Sequence, residues 1–178
     1  MAKAREVPGL DSDVPYAAAA ARVVAVRAEE VLHHSRGVLE VDEIERVHDM
    51  RVATRRLRAS LEVFRPCFPG AEFKVTLNEV KAIADALGER RDRDVTIEAL
   101  EDFGGALTAP DRPGIESLVA RLRGEQAEAN EDLRSFVDAA RLDALRERLD
   151  GLVAAAEKAA GEESPASSSV NGGDPTRS

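Results

Sequence analysis

Tryptophan is absent from these 178 residues, aromatic residues make up only 3%, and there is a single cysteine. A core without large rings has to be filled by Ala, Leu and Val. Those residues suit closely spaced helices better than a β-sandwich, so an all-α fold is expected. Cys67 has no second cysteine to bridge. It stands in Pro66-Cys67-Phe68-Pro69 with no histidine nearby to act as a base, and so reads as a loop thiol and not as a nucleophile. No apolar run has the length of a membrane span or of a signal-peptide core, and a soluble cytoplasmic protein without membrane contact is expected. An excess of positive charge is also lacking. The formal net charge is -9, opposite to the basic field of a general nucleic-acid or membrane-surface binder. Any polyanion site must therefore be local.

The apparatus of phosphate chemistry is missing as well. There is no Walker loop, no set of convergent carboxylates and no histidine pair at metal-ligand spacing. His33 and His34 are adjacent and point about 100° apart on a helix, which favours interaction with the helix C-terminal dipole over shared ligation. Neither an enzyme nor a protein with a metal or cofactor is expected.

The apolar pattern predicts an antiparallel bundle of about six helices in residues 13–160, between a flexible leader (1–12) and a disordered tail (161–178) too poor in apolar residues to fold. The first helix, residues 17–35, has Asp13 as its cap and Val23, Val26, Val31 and Leu32 for burial, and Gly37 ends it. Asp42 caps the second, which Pro66 and Pro69 stop. The third covers 71–87 with Phe73, Leu77, Val80, Ala84 and Leu87 inward, and Gly88 interrupts it. A fourth helix over 95–103, capped by Asp92 or Asp94, precedes a loop marked by Gly104-Gly105 and by Pro110 to Gly114. The fifth and sixth cover 115–137 and 142–160.

Within this pattern one stretch separates apolar from cationic residues most cleanly: VHDMRVATRRLRASLEVF, residues 47–64. At about 100° per residue, Met50, Ala53, Leu57, Leu61 and Phe64 form a core stripe, while His48, Arg51, Arg55 and Arg58 gather on another side. Asp49 and Glu62 are the only acids in the stretch, too few to neutralise Arg51, Arg55, Arg56 and Arg58. Arginine stays charged and presents a planar fork of donors, so successive turns of such a face suit a linear polyanion. In the next helix Lys74, Asn78, Lys81 and Asp85 share a side.

The H-x-x-R-V-x-x-R-R-L-R run of this stretch, followed by L-G-x-x-R-D-x-D-V within EVKAIADALGERRDRDV (79–95), resembles the CHAD family, the conserved histidine α-helical domain, over residues 16–153. That resemblance implies an all-helical fold and non-catalytic binding of inorganic polyphosphate, for targeting to polyphosphate granules or for sensing the polymer. The implied site comprises His48, Arg51, Arg55, Arg56, Arg58, Lys74, Lys81, Arg90 and Arg91. Family members typically have two related bundles, each with such a motif, and here the motif occurs once. A homodimer that brings a second His48-Arg51-Arg55 face opposite the first is the simplest replacement. Two other classes use the same arginines. A helical scaffold would dock an acidic protein surface on them. A nucleic-acid binder is disfavoured, because no stacking aromatic accompanies the motif.

Overall fold

The computed structural model describes residues 3–163. Its regular elements are five α-helices: α1 (Tyr16–His34), α2 (Ile44–Val63), α3 (Gly70–Ala106), α4 (Arg112–Arg134) and α5 (Ala139–Glu163). Short 3-10 turns at Arg65–Cys67 and Ala109–Asp111 precede α3 and α4, and no strand occurs among the described residues. None of these helices is long and apolar enough to cross a membrane.

The main core is shared by α1, α2, the first half of α3, the end of α4 and α5. In α2 the expected stripe is buried at Met50, Ala53, Leu57 and Leu61, extended by Val47 and Thr54, with Phe64 packed at its edge. The stripe of α1 differs from expectation. Its inward face is Ala17, Ala20, Ala21, Val24, Ala28 and Val31, whereas Val23, Val26 and Leu32 are only half-buried. Because α1 lies between α2 and α5, small side chains on that face let both neighbours approach closely.

The largest departure is α3, 37 residues long where two helices broken at Gly88 were expected. Its buried residues are Phe73, Thr76, Val80, Ile83, Leu87, Arg90, Asp94 and Ile97. Those positions alternate spacings of three and four, the seam of a helix that packs along its whole length. A mid-helix glycine costs about 1 kcal/mol relative to alanine, and here packing on both sides of Gly88 outweighs it. Asp92 and Asp94 therefore cap nothing, and Gly104-Gly105 belong to the helix. Asp13 and Asp42 do not cap either: Pro15 and Glu43 stand at the starts of α1 and α2, without a side-chain cap bond.

Residues 3–11, expected to be a flexible leader, lie along α1. The Arg5 N–H donates to Glu30 Oε1 at 2.5 Å, Arg27 donates to the Arg5 carbonyl at 3.0 Å, and Arg22 donates to the Gly9 carbonyl. At the other end α5 continues past Gly161 to Glu163. The rest of the expected tail lies outside the described residues.

Candidate functional site

Helices α2 and α3 run antiparallel, as three pairings spaced along them show. Near the start of α2, Arg91 donates to the Ile44 carbonyl at 3.2 Å and meets Glu45 at 3.7 Å. Midway, Arg51 crosses α3 at Gly88, where a Cβ would sit 4.0 Å from its Nε. Toward the end of α2, Glu62 takes Arg58 at 3.1 Å and Lys81 at 3.7 Å. The row of α3 residues beside α2 includes Ala84 and Gly88, both small, between Lys81 and Arg91, which both reach residues of α2.

Along α2 the helical period places His48, Arg51, Arg55 and Arg58 on one side. Among the described residues Arg51 and Arg55 have neither an ion pair nor a hydrogen bond from their side chains. Arg55 is exposed, and His48, Arg51 and Arg58 are half-buried. Such half-burial rests the aliphatic stems on the helices and leaves the cationic ends free to meet an anion. Arg58 and Lys81 share a single exposed carboxylate, a contact of the kind worth at most about 1 kcal/mol. A polyanion can displace it at little cost.

The structure does not assemble every residue expected at the site. Arg56 falls on the opposite flank of α2, facing α1, where its charge acts on Glu30. Lys74 is exposed two turns before Lys81 on the same side of α3. Arg91 retains 14% side-chain exposure and is committed to the first turn of α2. Its guanidinium is oriented by the Ile44 carbonyl and Glu45, not by Asp92 or Asp94.

Arg90 is the clear correction, because it is completely buried and offers no surface to a ligand. Its guanidinium is ion-paired to Asp94, also fully buried. Its Nε donates to Asn130 Oδ1 at 3.3 Å, Gln126 donates to Asp94 at 2.6 Å, and Asn130 donates in turn to the Leu39 carbonyl at 3.1 Å. Burial, and after it the Arg91 charge, push the Arg90 pKa down. This cluster ties α3 to α4 and to the loop after α1. The sequence held a sign of it: Arg90 and Asp94 continue the three-four seam of Phe73 to Leu87, so they point inward.

On the other flank of α2, Glu30 is 2% exposed and carries Arg27 at 2.7 Å. Burial alone would raise its pKa, but the Arg5 N–H together with Arg27 and Arg56 holds it below the ordinary carboxylate value. His34 is half-buried, and desolvation lowers its pKa against the opposing pull of Asp49. These groups hold the leader and α1 against α2, on the flank away from Arg51 and Arg55.

A family model described as CHAD domain matches residues 22–172, most of the chain. No curated protein and no solved structure matches.

Proposed function

Since this chain belongs to the CHAD-domain family, we propose that it binds inorganic polyphosphate, without catalysis, in the groove between α2 and α3. The observation that carries this reading is the pair Arg51 and Arg55, one turn apart and without carboxylate partners among the described residues, in a chain of net charge -9. An acidic protein that leaves adjacent arginines unneutralised has a surface suited to an anion. Along the α2 axis His48 and the cations at 51, 55 and 58 recur every 4.5–6 Å or so, at a rise of about 1.5 Å per residue. A linear polyphosphate can meet a charge on every turn, and its ends need no recognition. Lys81 supplies the opposite wall, and Arg91 closes one end while holding α2 in register.

Each charge-assisted hydrogen bond is worth roughly 1.5–3 kcal/mol. Replacing both Arg51 and Arg55 by alanine should therefore weaken binding at least about a hundredfold with the helical fold retained. Titration with polyphosphates of graded length against DNA of matched charge tests the reading. Affinity should rise with polyphosphate length, exceed that for DNA, and fall steeply with salt as counterions are released. Unchanged affinity in the double variant overturns the site. Indifference to polymer length would favour the scaffold reading, in which the same face docks an acidic protein surface. Non-catalytic retention of the polymer fits targeting to polyphosphate granules in the cytoplasm, or sensing of the polymer.

A further inference from the structure

The main core takes α3 residues only as far as Leu87, and beyond it α4 packs chiefly on α3 and on the 3-10 turn before it. The free end of this helix pair opens as a cleft of about 370 Å³. Its floor is apolar or small: Leu100, Gly104, Ile115, Val119 and Ala120. Two helices cannot cover both faces of their own seam, and among the described residues α3 and α4 alone line this one. Phe103, 55% exposed, and Val95, 47% exposed, add apolar surface on the same arm.

We infer that a second copy of the chain covers this cleft, the two α3–α4 ends meeting across a two-fold axis as a four-helix arrangement. The charges around the cleft identify the occupant. They comprise two cations, Arg112 and Arg123, and two anions, Glu101 and Glu116. Arg123 and Glu101 are closed on each other at 2.5 Å within one chain. Arg112 and Glu116 stand one turn apart on α4, and the Arg112 Nε donates to the Leu107 carbonyl at 3.1 Å, leaving its terminal nitrogens for another partner. A partner of one charge sign would be repelled by half of this rim. A two-fold copy instead sets Arg112 of each chain against Glu116 of the other.

The contact is small. Fourteen or so residues of each helix, at about 1.5 Å rise and 10 Å diameter, give a face on the order of 400 Å² per copy. Two such faces bury on the order of 800 Å² in total, below the roughly 1,000 Å² of a stable specific interface, so the dimer should be weak and transient. This cleft is separate from the His48-Arg51-Arg55 face, so the homodimer expected from the sequence is assigned here to a different contact. It requires no polymer, and its failure would leave the polyphosphate reading standing.

Sedimentation velocity of the full chain across a concentration series, without polyphosphate, tests the inference. A monomer–dimer equilibrium is expected, with Ala120→Arg monomeric and still helical by circular dichroism, since Ala120 is exposed. Arg112→Glu and Glu116→Arg should each weaken dimerisation tenfold or more, and the doubly swapped variant should restore it, because a two-fold contact keeps its cross pairs when both charges exchange. A wild-type monomer at several hundred micromolar, a dimer indifferent to Ala120→Arg, or a double swap no better than its singles would each overturn the proposal.

Discussion

Replacing Asp94 by alanine strands a guanidinium in the seam between α3 and α4. Arg90 and Asp94 are both without solvent exposure, and among the described residues the one other acceptor held to the Arg90 guanidinium is the Asn130 side-chain oxygen Oδ1. The variant removes the charge that offsets Arg90's desolvation and deprives the Gln126 amide of its acceptor. Breaking one side of a buried ion pair costs about 3–5 kcal/mol. At roughly 2–4 °C per kcal/mol for a chain of this size, the Tm should fall by roughly 6–20 °C. Urea denaturation followed by helical circular dichroism measures the free energy directly. The informative comparison is Arg90→Leu with Asp94→Leu, which removes both charges and fills similar volume; it should recover most of the loss, since apolar replacement of a whole buried pair is often neutral. A single variant that loses less than about 1 kcal/mol, or a double variant as unstable as the single, would refute the account of this pair as desolvated and mutually dependent.

The remaining expectations are shorter. Gly88→Ala should stabilise α3 by up to ~1 kcal/mol, because its Cβ would meet Arg51 only at ordinary contact distance; Gly88→Leu should displace Arg51 and weaken polyphosphate binding, both read by thermal melts and titration. Burial lowers the folded-state pKa of His34, so its contribution to stability is complete above the unfolded value of about 6.5 and is lost as pH falls through the lower folded value. His34→Gln should flatten that acid limb in denaturation curves measured from about pH 7 to 5. His48→Ala should weaken polyphosphate binding severalfold in the same titration, because it removes one donor from the α2 face; an unchanged affinity would take His48 out of the site.

The helical class and the α2 face were readable because both rest on periodicity. Met50, Leu57 and Leu61 are buried where a 3.6-residue repeat puts them, and His48, Arg51, Arg55 and Arg58 share the opposite flank. Punctuation was the weaker guide. Gly88, Gly104 and the acidic run after Arg91 are local signals for a helix end, and tertiary packing overrode all of them in α3. Arg90 was misplaced for the same reason: charge argued for a surface position, whereas the three-four spacing from Phe73 onward already pointed it inward. Arg56 follows from the helical wheel once α1 is known to occupy its side, which the sequence does not state. The pairing of Arg91 with the first turn of α2 is a contact between residues 47 positions apart, and no local pattern encodes it.

A helix that passes unbroken from one packing environment into another acts as a rigid lever. Between Lys81 and Ala106 α3 extends about 37 Å at 1.5 Å per residue, so a tilt of about 5° about Lys81 moves the far end by roughly 3 Å. The same bar carries Lys81 and Arg91 beside α2 near its middle and the open cleft at its tip. Without a hinge at Gly88, a displacement of the tip about Lys81 would carry Arg91 with it by a fixed fraction of its size, while Lys81 stays at the pivot.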